Sequence, residues 1–98
     1  MKYIEKPIDL RNESLTVLPD LHDVEIGGYF DCGGNHLTSL EGAPKSVRGY
    51  FNCGGNHLTS LEGCPETVGG SFDCSKNTVK FTEEQVRAVC KVKGKVYC

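Results

Sequence analysis

Apolar residues recur along this chain in a fixed order instead of at a helical period. Ile26, Phe30, Cys32, Leu37 and Leu40 are followed 21 residues later by Val47, Phe51, Cys53, Leu58 and Leu61, and then by Val68, Phe72, Cys74 and Val79. A fixed period of this size is the signature of a stacked solenoid, in which each unit buries its apolar face against its neighbours. Within each unit Phe and Cys are two residues apart, so an extended segment puts both on one face. The same segment turns Tyr29 and Asp31, Tyr50 and Asn52, and Ser71 and Asp73 to the other face. Gly33-Gly34 and Gly54-Gly55 then permit a sharp bend. Asn35, Asn56 and Asn77 follow at the bend, where a side-chain amide can bond backbone groups left unpaired, including those of the adjacent coil. Glu41-Gly42-Ala43-Pro44 and Glu62-Gly63-Cys64-Pro65 mark an irregular return.

The two ends depart from this pattern. Residues 1–22 read as a diverged first unit, with Ile8-Asp9-Leu10 parallel to Phe30-Asp31-Cys32 at an offset of 22. Glu13 stands where the Asn ladder would continue, so the ladder stops there. The 21-residue repeats occupy residues 23–81, and residues 82–98 form a different kind of stop. Thr82-Glu83-Glu84-Gln85 is a capping box, and Phe81 with Val86 fits a hydrophobic staple. Val86, Val89 and Cys90 then share one predicted helical face. Gly94 ends or follows this helix, and in Val92–Cys98 the residues Val92, Val96 and Cys98 alternate with Lys93, Lys95 and Tyr97, the period of a short edge strand with a charged outer face. The fold class that follows is a single-domain repeat solenoid. It carries a parallel β-sheet on one face and irregular returns, and is closed by a C-terminal α-helix and short strand.

Written as F-x-C-x-x-N-x-L-x-x-L, each unit resembles the leucine-rich repeat, with core L-x-x-L-x-L-x-x-N/C-x-L. The match covers about residues 8–81. One feature departs from it: the upstream apolar residue falls four positions before Phe (Val47 before Phe51) instead of three. The return L-T-S-L-E-G-A/C-P also looks like short leucine-rich-repeat proteins of bacteria and their phages. The resemblance implies a protein-binding role for the outward strand face, formed by Asp9, Asp31, Asn52 and Asp73 with Tyr29 and Tyr50 beside them. It also implies a small accessory inhibitor of a host protein, including a defence nuclease, working in the host cytoplasm if phage-encoded.

Composition narrows the alternatives. The chain has 98 residues, with 11 basic and 13 acidic side chains and a net charge of −2. That balance supplies no electrostatic footprint for a phosphate backbone, so nucleic acid is not the expected partner. The acidic, tyrosine-bearing strand face instead predicts another protein with a basic surface. No apolar run reaches signal-peptide or membrane-spanning length, which predicts a cytoplasmic protein. Nucleophile triads, phosphate loops and paired catalytic carboxylates are missing from the sequence pattern, so no enzymatic activity and no cofactor are expected.

The six cysteines and the paired histidines carry the remaining chemistry. Stacked in register, Cys32, Cys53 and Cys74 form a column of small buried side chains. Cys32-x3-His36 and Cys53-x3-His57 offer two Cys and two His, a zinc-binding alternative, although inward cysteines and outward histidines do not converge on one ion. His36 and His57 are predicted surface neighbours that join the partner-contact set. Cys64, Cys90 and Cys98 show no redox spacing. Self-assembly through the solenoid ends or edge strand is a further alternative, with a homo-oligomer as its outcome.

Overall fold

The computed structural model describes residues 2–98 and shows a small β-solenoid of about four turns. Its strands, in chain order, are β1 (Lys2–Ile4), β2 (Ile8–Asp9), β3 (Val24–Ile26), β4 (Phe30–Asp31), β5 (Ser46–Val47), β6 (Phe51–Asn52), β7 (Thr67–Val68) and β8 (Phe72–Asp73). Helix α1 (Glu83–Val89) follows, then β9 (Lys91–Val92) and β10 (Val96–Tyr97). Among the described residues these strands build two five-stranded parallel sheets, ordered β1-β3-β5-β7-β9 and β10-β8-β6-β4-β2. The second is the expected sheet, in the expected register: Phe30 pairs with Phe51 and Phe51 with Phe72. The first is an addition. The segment four residues upstream of each Phe is a strand in its own right, with Ile26, Val47, Val68 and Val92 in register.

The corner between the sheets explains the glycine that precedes each Phe by two. The N–H of Gly49 donates to Gly28 O, Gly70 to Gly49 and Gly94 to Gly70, each at 3.0 Å. A Cβ on Gly49 would come within 2.7 Å of the Tyr29 nitrogen, so a larger residue cannot turn this corner without moving the neighbouring coil. The second glycine of each Gly-Gly pair meets a different demand. Gly34 and Gly55 take φ of 68° and 65°, in the left-handed region where a Cβ is disfavoured.

Inside the coil, columns of like residues stack. Phe30, Phe51 and Phe72 are fully buried, with ring centroids 5.8 Å and 5.2 Å apart. Each contributes roughly 1.5–3 kcal/mol by burial alone. Cys32, Cys53 and Cys74 form the parallel column, and the thiols of Cys32 and Cys53 donate to the carbonyls of Asn52 and Asp73 at 3.3 Å. The Asn ladder fastens each coil to the one before it. Asn56 donates to Cys32 O, Cys53 O and Gly54 O and accepts from the Leu37 N–H at 3.0 Å. Asn35 and Asn77 repeat the arrangement. At the first coil, where Glu13 replaces Asn, the Glu13 backbone N–H is held by Asn35 instead.

The stop is formed as the capping box predicts. The Thr82 side chain accepts from the Gln85 N–H at 3.2 Å, and Gln85 Oε1 accepts from the Thr82 N–H at 2.9 Å. Phe81 and Val86 both lie in the core. Val89 does not: it is 54% exposed, because α1 ends at Cys90 and only Val86 and the extended Cys90 turn inward. The tail is also more than one edge strand. Val92-Lys93-Gly94-Lys95-Val96-Tyr97-Cys98 repeats the two-strand layout of Val68–Cys74 as a partial last coil, with Val96 opposite Phe72. Arg87 closes the free edge of that coil, its guanidinium donating to Val92 O at 2.7 Å and Gly94 O at 3.0 Å. No helix among the described residues is long and apolar enough to cross a membrane.

Candidate functional site

The outward residues of β2, β4, β6, β8 and β10 align as Asp9, Asp31, Asn52, Asp73 and Tyr97. The first four share a structural task. Each Oδ1 accepts the backbone N–H two residues on: Arg11 at 3.1 Å, Gly33 at 3.0 Å, Gly54 at 2.8 Å and Ser75 at 2.9 Å. Asp and Asn both make this Asx turn, which ends the strand and starts the bend. The Asp31/Asn52 difference is therefore neutral for the turn.

It is not neutral for the surface. Asp31 is only 2% exposed, so it does not form part of an open acidic column as the alternation predicts. The reason is the neighbouring coil: the Tyr50 hydroxyl donates to Asp31 Oδ2 at 3.0 Å, and Arg11 Nε lies 3.8 Å from the same oxygen. Arg11 is held chiefly by Asp9, through Nε at 2.9 Å and Nη2 at 2.8 Å. That contact keeps the Asp9 carboxyl below the usual carboxylate range. Burial, together with the Asp31 carboxylate, pushes the Tyr50 phenol up to about 12. In the third coil Asn52 has Ser71 where Asp31 has Tyr50, so no phenol reaches it, and both Asn52 and Asp73 stay partly open.

Tyr29 and Tyr50 lie flat on each other, ring centroids 4.7 Å apart and 4° from parallel, both half-buried. Beyond them a groove of about 250 Å³ crosses the Gly-Gly turns, with Arg11, Asn52, Asp73 and Lys76 around a floor that includes Gly34 and Gly55. His36 and His57 stand past the Asn bend, exposed and stacked at 5.5 Å, with Nδ1 of one 3.3 Å from Nε2 of the other. The pair shares one hydrogen bond, so one ring donates and the other accepts.

Cys32 and Cys53 point into the core while His36 and His57 are exposed, so the structure does not bring the four zinc candidates together. Among the described residues no group of three or more His, Cys, Asp or Glu is placed to hold a metal ion. Cys64 and Cys90 are free thiols packed in or against the core, Cys90 buried and Cys64 half-buried.

Compared with protein-family models, with curated proteins and with solved structures, the chain matches none.

Proposed function

We propose that this solenoid is a non-enzymatic protein-binding module that docks its partner on the outer face of the second sheet. The observation that carries the reading is the Tyr29–Tyr50 stack. Two parallel phenols, fixed by stacking and by the Asp31 hydrogen bond, offer rigid amphipathic contact area at little further entropic cost. The groove beside them supplies polar groups in Asn52 and Asp73. A partner with a basic surface fits Asp73, with Asp31 acting as the anchor of Tyr50 and not as a contact. His36 and His57 extend the surface past the bend.

The leucine-rich-repeat resemblance places such a face where that family engages proteins. The narrower role, a phage accessory protein inhibiting a host defence protein, rests on that resemblance alone. Self-association through the solenoid ends is less well supported, since Arg87 already occupies the Val92 and Gly94 carbonyls that an incoming strand would use. The test is affinity capture from the native host with wild type and with Tyr29→Ala plus Tyr50→Ala. The reading expects a protein retained by wild type and lost by the variant while its circular dichroism is unchanged. Equal retention by both proteins contradicts it.

A further inference from the structure

One outward column of the second sheet changes character halfway along. The residue before each Phe runs Tyr29, Tyr50 and Ser71, and Lys95 holds the same place in the last coil. Backbone bonds keep these positions in step: the N–H groups of Phe30, Phe51 and Phe72 donate to the carbonyls of Tyr50, Ser71 and Lys95, each at 2.9 Å. The Tyr29–Tyr50 ring spacing of 4.7 Å is that of neighbouring strands, so one ring fills one coil. Tyr50 is stacked on one side only. On its other side Ser71 is too short to cover the ring, and Lys95 stands two coils from Tyr50, roughly 9.5 Å along the column. That interval takes one more ring.

The polar groups beside the gap are open in the same place. Tyr50 donates its hydroxyl to Asp31 Oδ2 one coil back, and with no ring over Ser71 the next position, Asn52, receives no such contact. Asn52 Oδ1 accepts from the Gly54 N–H at 2.8 Å, which identifies Nδ2, a donor, as the free atom. Asp73 Oδ1 is likewise occupied, by the Ser75 N–H and hydroxyl. Among the described residues neither Asn52 Nδ2 nor Asp73 Oδ2 makes a hydrogen bond, and no buried side-chain N or O lacks a partner, so both atoms meet solvent. A donor and an acceptor therefore stand on adjacent strands, about 4.8 Å apart. A hydroxyl oxygen about 2.8 Å from each bridges them at an angle of about 120°, which suits a group that accepts one bond and donates another.

We infer that the gap over Ser71 is a binding site for a tyrosine side chain of the partner protein. The guest ring continues the Tyr29–Tyr50 stack, and Lys95 covers its far face. Its hydroxyl accepts from Asn52 Nδ2 and donates to Asp73 Oδ2. The inference rests on the reading of this face as the docking surface, and it gives the Asp31/Asn52 difference a role. The acid at 31 anchors the chain's own phenol; the amide at 52, with Asp73 beside it, receives a second one. Phenylalanine would fill the gap but leave both polar atoms unpaired. Arginine would stack on Tyr50 and pair with Asp73, but it would set its own donors against Asn52 Nδ2.

The test is an NMR titration of the isotope-labelled chain with N-acetyltyrosinamide, N-acetylphenylalaninamide and N-acetylargininamide. The tyrosine probe should shift the Asn52 side-chain amide, the Tyr50 ring and Ser71 saturably. The phenylalanine probe should bind more weakly by roughly tenfold, the effect of one or two hydrogen bonds. Ser71→Ala keeps the gap and should bind as wild type does. Ser71→Tyr supplies the chain's own third ring and should abolish probe binding while its spectrum stays that of a folded chain. No shift at Asn52, equal affinity for the phenylalanine probe, tighter binding of the arginine probe, or undiminished binding by Ser71→Tyr overturns the inference. Affinity capture separates this inference from the docking reading. If Ser71→Tyr keeps a protein that Tyr29→Ala plus Tyr50→Ala loses, the docking face stands and the tyrosine site is overturned. If both variants keep it, the docking reading falls as well.

Discussion

The Tyr50 hydroxyl reaches back one coil to donate at 3.0 Å to the Asp31 carboxylate, which is 2% exposed. Tyr50→Phe deletes the donor and leaves a buried carboxylate oxygen with only Arg11 at 3.8 Å. Losing a bond to a charged group at a half-buried site should cost about 1 kcal/mol, read as a lower Tm in thermal unfolding. The contribution is also pH-dependent. A phenol whose folded pKa lies near 12, above its unfolded value, favours the folded state most fully below the unfolded value. The wild-type advantage over Tyr50→Phe should hold up to about pH 10 and fade above it. An equal Tm for the two proteins at neutral pH contradicts the assignment.

Asn56 makes four bonds to backbone groups of two coils while almost fully buried. Asn56→Ala strands several of them, at roughly 1–3 kcal/mol for each buried group left unpaired. Asn56→Asp should be worse, because a carboxylate would face the carbonyls of Cys32, Cys53 and Gly54, which the amide now satisfies. Urea unfolding midpoints should fall in the order wild type, Ala, Asp. A milder effect for Asp than for Ala contradicts the donor role of the ladder.

Lys76 occupies the bend position that Gly34 and Gly55 hold in the inner coils, and it does so at φ 56°. A side chain in this region carries roughly 1–2 kcal/mol of strain, offset in part by the entropy that glycine loses on folding. Lys76→Gly should therefore stabilise the protein by about 0.5 kcal/mol, with a small rise in Tm. A lower Tm would show that the Lys76 side chain contributes more than its backbone costs.

Columns of identical buried residues made most of the fold legible: Phe30, Phe51 and Phe72 can recur at one spacing only if each packs on the next. The first sheet was not legible in the same way. Ser46-Val47 and Thr67-Val68 are too short to show alternation, and their pairing depends on the Gly49 and Gly70 backbones passing within contact distance. The last coil escaped because Val92, Gly94, Val96 and Cys98 repeat Val68, Gly70, Phe72 and Cys74 at an offset of 24, stretched by the helix between them. At the candidate site the Asp column was readable from strand alternation. The burial of Asp31 was not, because it depends on the direction a tyrosine takes one coil away.

The protein-binding face is tested most directly by hydroxyl-radical footprinting of the chain with and without the partner that wild type retains. Its tyrosines serve as reporters, with Tyr3, 53% exposed and on the first sheet, as the control. The account predicts that the partner slows oxidation of Tyr29 and Tyr50 and leaves Tyr3 unchanged. Protection of Tyr3, with Tyr29 and Tyr50 oxidised at the free-protein rate, would contradict it.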